Sequence, residues 1–356
     1  MTPQGTIKIL IISPIAETVQ SWLFNAMEEF SVEFYSCLTG ISGIDKLQSI
    51  KPALAIIDSE LSDINGMSLT AIIKNTLIGA KTEIFLFNLN TMYPVYPDIK
   101  ADQICFKVQE NNLRDFLTSQ SRLFVEKIEL ERRHEDEIIK AKALQYEYLP
   151  DQIDTDDLKV HYVFSPYGDL SGDGCDFWLS DNDKTKLYGF LFDCTGHDLT
   201  SFSQCSEFRM LLKKNLRLTE MGLYSSLSQA VESINQDLFM IDKDPPTAAA
   251  IVFCLDMEKR IFHFASAGIN VILKKEISNL NYEEVITPSS PFGYEPDIKY
   301  EDESFELDGI DGIIVSSDGF TEVMVSNSDD LPKENIAKHD DVTAIFISIP
   351  ERSISR

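Results

Sequence analysis

The sequence predicts an α/β protein of two unlike units with a long helix between them, and three observations carry that prediction. Residues 1–118 alternate strand-like apolar runs with helix-like segments, as a parallel sheet covered by helices requires. Residues 119–150 are dominated by Glu, Lys, Arg and Gln and meet no Gly or Pro before Pro150, which favours one continuous helix. Residues 151–350 place strand-like runs on both sides of a helical pair, as in a layered α+β domain.

In order, Ile7 to Ile12 reads as a buried strand, Ala16 to Phe30 as a helix, and Val32 to Cys37 as a second strand. Ile41 to Ser49 is a short helix, Ala53 to Ile57 a third strand ending at Asp58, and Met67 to Leu77 a helix. Glu83 to Phe87 and Gln103 to Phe106 complete five strands. Doubly wound sheets put function at the carboxyl ends of their strands, where Asp58 lies. In the long helix, from Leu123 to Leu149, the residues Leu130, His134, Ile138, Ala141 and Tyr148 make an imperfect apolar stripe. It suits a solvated spacer and a dimerising helix equally. Beyond it, Leu199 to Leu218 and Leu223 to Met240 read as helices. Strands follow at Ala248 to Leu255, Ile261 to Ala265, Val271 to Lys274, Gly312 to Ser316 and Ala344 to Ile349.

Hydrophobic content of 44% and charged content of 25% are ordinary for a globular chain. The balance of 31 basic against 58 acidic residues gives −27, which disfavours nucleic acid and anionic membrane as partners. It also opposes a phosphoprotein substrate unless bound cations reverse the local field. The apolar run Ile9 to Ile12 is far too short to span a bilayer, and no secretory leader is read before it, so the expected location is the cytoplasm. The six cysteines form no CxxC pair and are expected to be reduced, buried hydrophobes.

Four acidic motifs carry chemistry: Gly172-Asp173, Asp193-Cys194-Thr195-Gly196-His197, Ser317-Asp318-Gly319 and Asp340-Asp341-Val342-Thr343. Asp193 and Asp318 follow strand-like runs, Asp173 comes a little after Val160 to Phe164, and Asp340 precedes one. Carboxylates at strand ends can converge on one sheet edge and hold hard divalent cations through oxygen. Such a site suits hydrolysis of a phosphate ester by metal-activated water. An acid beside Gly is otherwise a turn or a helix cap, so the ordered set is what makes the pattern specific.

Two resemblances follow from these residues. The stretch Leu54 to Met67, with Asp58 and Gly66, resembles the phosphoacceptor segment of response-regulator receiver domains, and Lys107 falls on that family's conserved lysine. Gln145 to Pro150 resembles the Q-x-x-L-L-P segment of the SpoIIE/RsbU branch of the PPM phosphatases. Gly172 to Asp176, Asp193 to Asp198, Ala265 to Gly268, Pro291 to Gly293, Val315 to Glu322 and Asp340 to Thr343 resemble further motifs of that branch, in order.

The resemblances imply a flavodoxin-like receiver over 1–118, a linker helix over 119–150 and an α/β/β/α phosphatase sandwich over 151–350. They imply two Mn²⁺ or Mg²⁺ ions on Asp173, Asp193, the backbone carbonyl of Cys194, Asp318 and Asp340, with Asp193 and Asp318 catalytic. Asp340 and Asp341 are interchangeable on this reading. His197 is either a general acid or a packing group, whereas Asp176 and Glu322 support or cap rather than ligate. Asp58 is the expected phosphoacceptor, with Asn88 and Lys107 at the switch positions. The implied activity is hydrolysis of phosphoserine or phosphothreonine on a regulatory protein such as an anti-sigma-factor antagonist, gated by the receiver. An upstream histidine kinase and a homodimer through the linker helix are the implied partners.

The chain also departs from both patterns. Ser13-Pro14 stands where receivers carry an acidic pair, and Asn88 replaces the switch hydroxyl. Pro94 and Pro97 argue for a short or missing fourth receiver helix. Asp198 replaces a glycine, Ile269 a histidine, and the span from Glu322 to Asp340 is short. The architecture is also similar to that of RssB, a sigma-factor adaptor whose phosphatase domain has lost its metal ligands, and the alternative function is a catalytically weak or inactive adaptor that binds a partner such as a sigma factor through the phosphatase fold.

Overall fold

A computed structural model describes residues 5–89, 101–196, 198–277, 282–321 and 340–349. Contacts divide the chain into two units, Met1–His134 and Glu135–Arg356. No described helix is long and apolar enough to cross a membrane.

The first unit runs β1 (Ile7–Ile12), α1 (Ala16–Ala26), β2 (Val32–Cys37), α2 (Gly40–Ile50), β3 (Leu54–Asp58), α3 (Gly66–Lys74), β4 (Glu83–Leu89) and β5 (Gln103–Phe106). Its strands pair in parallel in the order β2-β1-β3-β4-β5. Side chains alternate between faces along each strand, so one run feeds two cores. Ile9, Ile11, Ile56, Phe85 and Phe87 share a core with Val19 and Leu23 of α1. Leu10, Ile12, Ile57, Ile84 and Leu86 share the other with Leu47 of α2 and Leu69 and Ile73 of α3. Burial on both faces is why these strands read as continuous apolar runs rather than alternating ones. The segment expected to hold the shortened fourth helix lies outside the described residues.

Helix α4 spans Glu110–Glu147 and is 38 residues long. It begins inside the segment that the sequence reading gave to the N-terminal domain. The reason is packing: Leu113, Leu117 and Val125 join the core on the α1 face of the sheet. The division between units falls within this helix.

The second unit holds β6 (Ile153–Asp154), β7 (Lys159–Ser165), β8 (Asp173–Leu179), β9 (Lys186–Cys194), α5 (Leu199–Glu220) and α6 (Leu227–Ile241). It continues with β10 (Ala248–Asp256), β11 (Ile261–Ala267), β12 (Val271–Glu276), β13 (Tyr282–Ile286), β14 (Glu303–Glu306), β15 (Ile310–Ser316) and β16 (Val342–Ser348). They form two antiparallel sheets, β14-β11-β10-β9-β8 and β13-β12-β15-β16-β7-β6. Phe177, Leu191, Ile251 and Phe253 of the first sheet pack with Ile272, Ile313, Val315 and Ile345 of the second. On the other face of the first sheet, Phe190, Phe192 and Val252 pack against Phe208, Leu212, Val231 and Ile234 of α5 and α6. The outer face of the second sheet is also apolar, with Ile314, Phe320, Ala344 and Phe346 clustered. The helical layer expected over it would fall on residues outside those described.

Two expectations are corrected here. Asp173 does not trail a strand; it is the first residue of β8, a strand the sequence reading did not assign. The short strands β6, β13 and β14 were also unassigned, because half-exposed runs of two to five residues carry little periodic signal.

An ion cluster fastens α5 to β8. Asp176 is buried and accepts from Arg209 Nη2 and Lys213 Nζ, both at 2.8 Å. Arg209 also donates to the carbonyl of Cys175 at 2.8 Å and to that of Tyr148. Replacing Asp176 with Ala strands the mostly buried Arg209 without its counter-charge. Urea unfolding is expected to show a loss of about 3 kcal/mol, whereas Asp176→Ala with no change would reduce the cluster to decoration.

Candidate functional site

The four acidic motifs, spread over more than 160 residues of sequence, face one another at one end of the sandwich. Asp173 and Asp193 sit directly opposite in the β8–β9 register. Asp318 opens the helical turn two residues after β15, and Asp340 lies two residues before β16. Since β15 and β16 are paired neighbours, those two motifs arrive together.

Backbone contacts lock the motifs to one another. Cys194 N and Cys205 Sγ both donate to the carbonyl of Gly172, at 3.1 and 3.2 Å. A Cβ on Gly172 would stand 2.1 Å from the carbonyl oxygen of Cys194, so only glycine allows this approach. Gly319 is constrained in the same way, with a Cβ falling 2.1 Å from the carbonyl oxygen of Asp341. Ser317 N donates to Thr343 O at 2.9 Å, and Thr343 N returns a bond to Ser317 Oγ at 3.1 Å.

The two adjacent acids of the last motif divide their work. Asp341 is buried, and its oxygens accept from Tyr167 N at 2.6 Å and Gly172 N at 2.8 Å. It therefore clamps the loop that leads into Asp173. Asp340 is exposed and accepts only the neighbouring Asp341 N among the bonds described. Gln145, near the end of α4, grips the same loop: its amide donates to Ser171 O at 2.8 Å and accepts from Ser171 N at 3.1 Å.

The electrostatics reflect crowding. Burial, then the charge of Asp193, raises the Asp173 carboxyl well above the usual range, while Ser317 and Thr343 pull the other way. Burial pushes Asp193 up to about 6, with Asp318, Asp340 and Asp341 adding to the effect. Asp173 Oδ2 is buried with no hydrogen-bond partner among the described residues. A buried, unpartnered carboxylate oxygen among like charges is what a cation would relieve. The donors are hard oxygens, suited to Mg²⁺ or Mn²⁺. Among the described residues, however, no three His, Cys, Asp or Glu side chains form a group arranged to hold a metal ion. Asp318 and Asp340 each spend an oxygen on an adjacent backbone N–H, at 2.8 Å. The acids gather without forming a ready cage.

Other expected residues are placed as follows. Asp176 belongs to the ion cluster with Arg209 and Lys213. Asp198 caps α5, accepting from Ser201 N at 2.8 Å, and these bonds lower its carboxyl. Ile269, in place of a histidine, is buried in the core between the sheets, where an apolar side chain suits. His197 and Glu322 lie outside the described residues. All six cysteines are unpaired and buried. The sequence reading missed the loop-holding roles of Gln145, Tyr167 and Asp341. The available signal for the first was its place at the head of the Gln145 to Pro150 segment, which resembles Q-x-x-L-L-P.

In the first unit, Asp58, Asn88 and Lys107 meet at the carboxyl end of the parallel sheet. Asp58 is buried, and its oxygens accept from Ser13 Oγ at 2.8 Å, Glu60 N at 3.0 Å and Asn88 Nδ2 at 3.1 Å. Asn88 takes a left-handed backbone, φ 61°, to present that amide. Lys107 does not bond Asp58; its ammonium pairs with Glu60 at 2.8 Å.

Comparison with known proteins bears on the second unit. Residues 183–350 match the family model for stage II sporulation protein E (SpoIIE). That match supports a SpoIIE-type phosphatase domain. It spans somewhat less than half of the chain and includes Asp193, Asp318 and Asp340, but begins after Asp173. No curated protein matches the chain. Among solved structures, the chain is similar to the PP2C phosphatase domain of Bacillus subtilis SpoIIE with a fragment of its regulatory domain. Identity there is 18% over 54% of this chain and 63% of that one, under two thirds of its length, with a TM-score of 0.45. The SiaA PP2C domain of Pseudomonas aeruginosa is 14% identical over 62% of this chain and 99% of that one, TM-score 0.48. The RsbU and RsbW domains of a Mycobacterium tuberculosis protein are 18% identical over 54% and 60%, TM-score 0.44.

The raised Asp193 carboxyl has a measurable consequence. A folded-state value above the usual 3.8 means that ionising Asp193 costs stability. Chelator-treated protein is therefore expected to lose stability as pH rises from about 4 to about 6, and Asp193→Asn to flatten that part of the profile. Thermal melts across this range decide it; a profile unchanged by Asp193→Asn would show that Asp193 is not crowded.

Proposed function

We propose that this chain is a response-regulator protein phosphatase that hydrolyses phosphoserine or phosphothreonine on a regulatory protein, of the anti-sigma-factor-antagonist kind. One observation carries the reading: Asp193 feels the charges of Asp318, Asp340 and Asp341, while Asp173 lies opposite it with a bare buried oxygen. The SpoIIE match over four of these acids, all but Asp173, supports it.

Asp173, Asp193, the Cys194 carbonyl, Asp318 and Asp340 are the groups that would hold Mn²⁺ or Mg²⁺. Bound there, divalent cations would supply Lewis acidity toward a phosphoryl oxygen and toward water. The rest is the work of the protein itself. Asp341 and Gln145 hold the Ser171–Gly172 backbone so that Asp173 keeps its place beside Asp193. Ser317 and Thr343 keep the Asp318 turn against the start of β16. Asp193 and Asp318 are the catalytic acids on this reading because they would hold the cations that a substrate phosphate needs in order to approach so acidic a site.

The N-terminal unit acts as the gate. Its support is the 2-1-3-4-5 strand order, known from flavodoxin-like folds, and Asp58 at the strand ends. The connection is α4, whose first turns pack on that sheet and whose last turn carries Gln145. Asp58 is the phosphoacceptor, with Asn88 and Lys107 as switch residues and a histidine kinase upstream; α4 is the dimerising element. Acetyl phosphate with Mg²⁺ is expected to label Asp58 slowly in the native chain and faster in Ser13→Asp, which restores an acid beside it. Mass spectrometry reads the result, and no label in either protein would leave phosphorylation out of the gate.

A second reading has its own support, namely that no three described side chains form a metal-holding group. On it, the chain is a non-catalytic adaptor that binds a sigma factor or similar partner through the phosphatase fold. Calorimetry and turnover separate the two. The phosphatase is expected to bind Mn²⁺, to hydrolyse p-nitrophenyl phosphate and a phosphoserine peptide, and to stop with chelator. Asp193→Asn or Asp318→Asn should lower kcat by about a hundredfold or more. No Mn²⁺ binding and no turnover would leave only the adaptor, whereas turnover indifferent to chelator would overturn the metal-dependent phosphatase.

A further inference from the structure

A cavity of about 740 Å³ lies between α5, α6 and the end of β9. Its wall is mainly apolar, with Phe208, Leu211, Leu238, Ile241 and Pro246, and one end reaches Cys194 and Thr195, next to Asp193. Met210 and Ile241 line it and are 72% and 70% exposed. Large apolar side chains gathered in the open mark an interaction surface, and thioethers adapt to varied partners. The charges at the cavity are unbalanced. Glu207 and Asp242 line it, while the lining Lys214 is paired with Asp237 at 3.7 Å.

We propose that this cavity docks the phosphoprotein substrate, through a segment in which apolar side chains stand beside Lys or Arg close to the phosphorylated residue. The inference rests on the phosphatase reading and adds how the substrate is held. A chain of net charge −27 offers a phosphorylated partner no long-range attraction. Affinity must then come from apolar burial, which the cavity provides beside the acids. Basic side chains on the partner meet Glu207 and Asp242, and offset the repulsion felt by its phosphate. The cavity reaches Cys194 and Thr195, so a docked segment lies next in sequence to Asp193.

The test uses the full chain and two pools of fluorescein-labelled phosphoserine peptides. One pool carries Leu, Ile, Lys and Arg around the phosphoserine, the other Ser, Thr, Asp and Glu. Anisotropy reads binding, phosphate release with Mn²⁺ reads kcat/KM, and p-nitrophenyl phosphate reports turnover of a substrate too small to use the cavity. The apolar-basic pool is expected to bind, and to turn over, at least about tenfold better. Met210→Gln with Ile241→Gln should abolish that preference, and Glu207→Lys should weaken it, with p-nitrophenyl phosphate turnover unchanged. Met210 and Ile241 are exposed, so their replacement spares the core, and a melting curve checks this. Equal binding of both pools, or a preference that survives both variants, would overturn the docking site. Failure of the native chain to turn over p-nitrophenyl phosphate would instead overturn the phosphatase reading, while anisotropy still decides whether the cavity selects the apolar-basic pool.

Discussion

Like charges held close in a partly buried space set the terms for the second unit. Carboxylates left to themselves would separate, and the folded chain opposes that with backbone bonds rather than counter-charges, at the expense of making them hold protons more readily. Cross-strand register fixes Asp173 opposite Asp193. Asp341 surrenders both its oxygens to backbone N–H groups so that the loop before Asp173 stays in place. The stability of the two packed sheets is what offsets the repulsion, so the core and the site are not separable in energy.

The N-terminal unit treats its buried acid in the opposite way. Asp58 meets a hydroxyl, an amide and a backbone N–H, while Lys107 pairs with Glu60. The same residue type is thus surrounded by hydrogen-bond donors at one sheet end and crowded by other acids at the other. The difference comes from neighbours: Ser13 and Asn88 in one case, other aspartates in the second.

Much of this was legible in the chain. Five apolar runs in the first 118 residues announced a parallel sheet because both of its faces are buried. The four acidic motifs announced a cluster because each combined an acid with glycine or threonine near a strand. What could not be read were features that exist only across the fold. The start of α4 at Glu110 depends on a sheet face for Leu113 and Leu117. The strand β8 carries buried acids at Asp173 and Asp176, which break the apolar pattern expected of a strand. The sequence reading left Asp340 and Asp341 interchangeable, and hydrogen bonds to residues some 170 positions away are what separate their roles.

The clearance around Gly172 and Gly319 bears on ancestry. Each glycine is required by an oxygen of the opposing main chain 2.1 Å from where a Cβ would be, not by any ion. A descendant that abandoned hydrolysis but kept the sandwich would still need both. Glycines in such tetrapeptides therefore record inheritance of the scaffold, and only the acids beside them record retention of the trade.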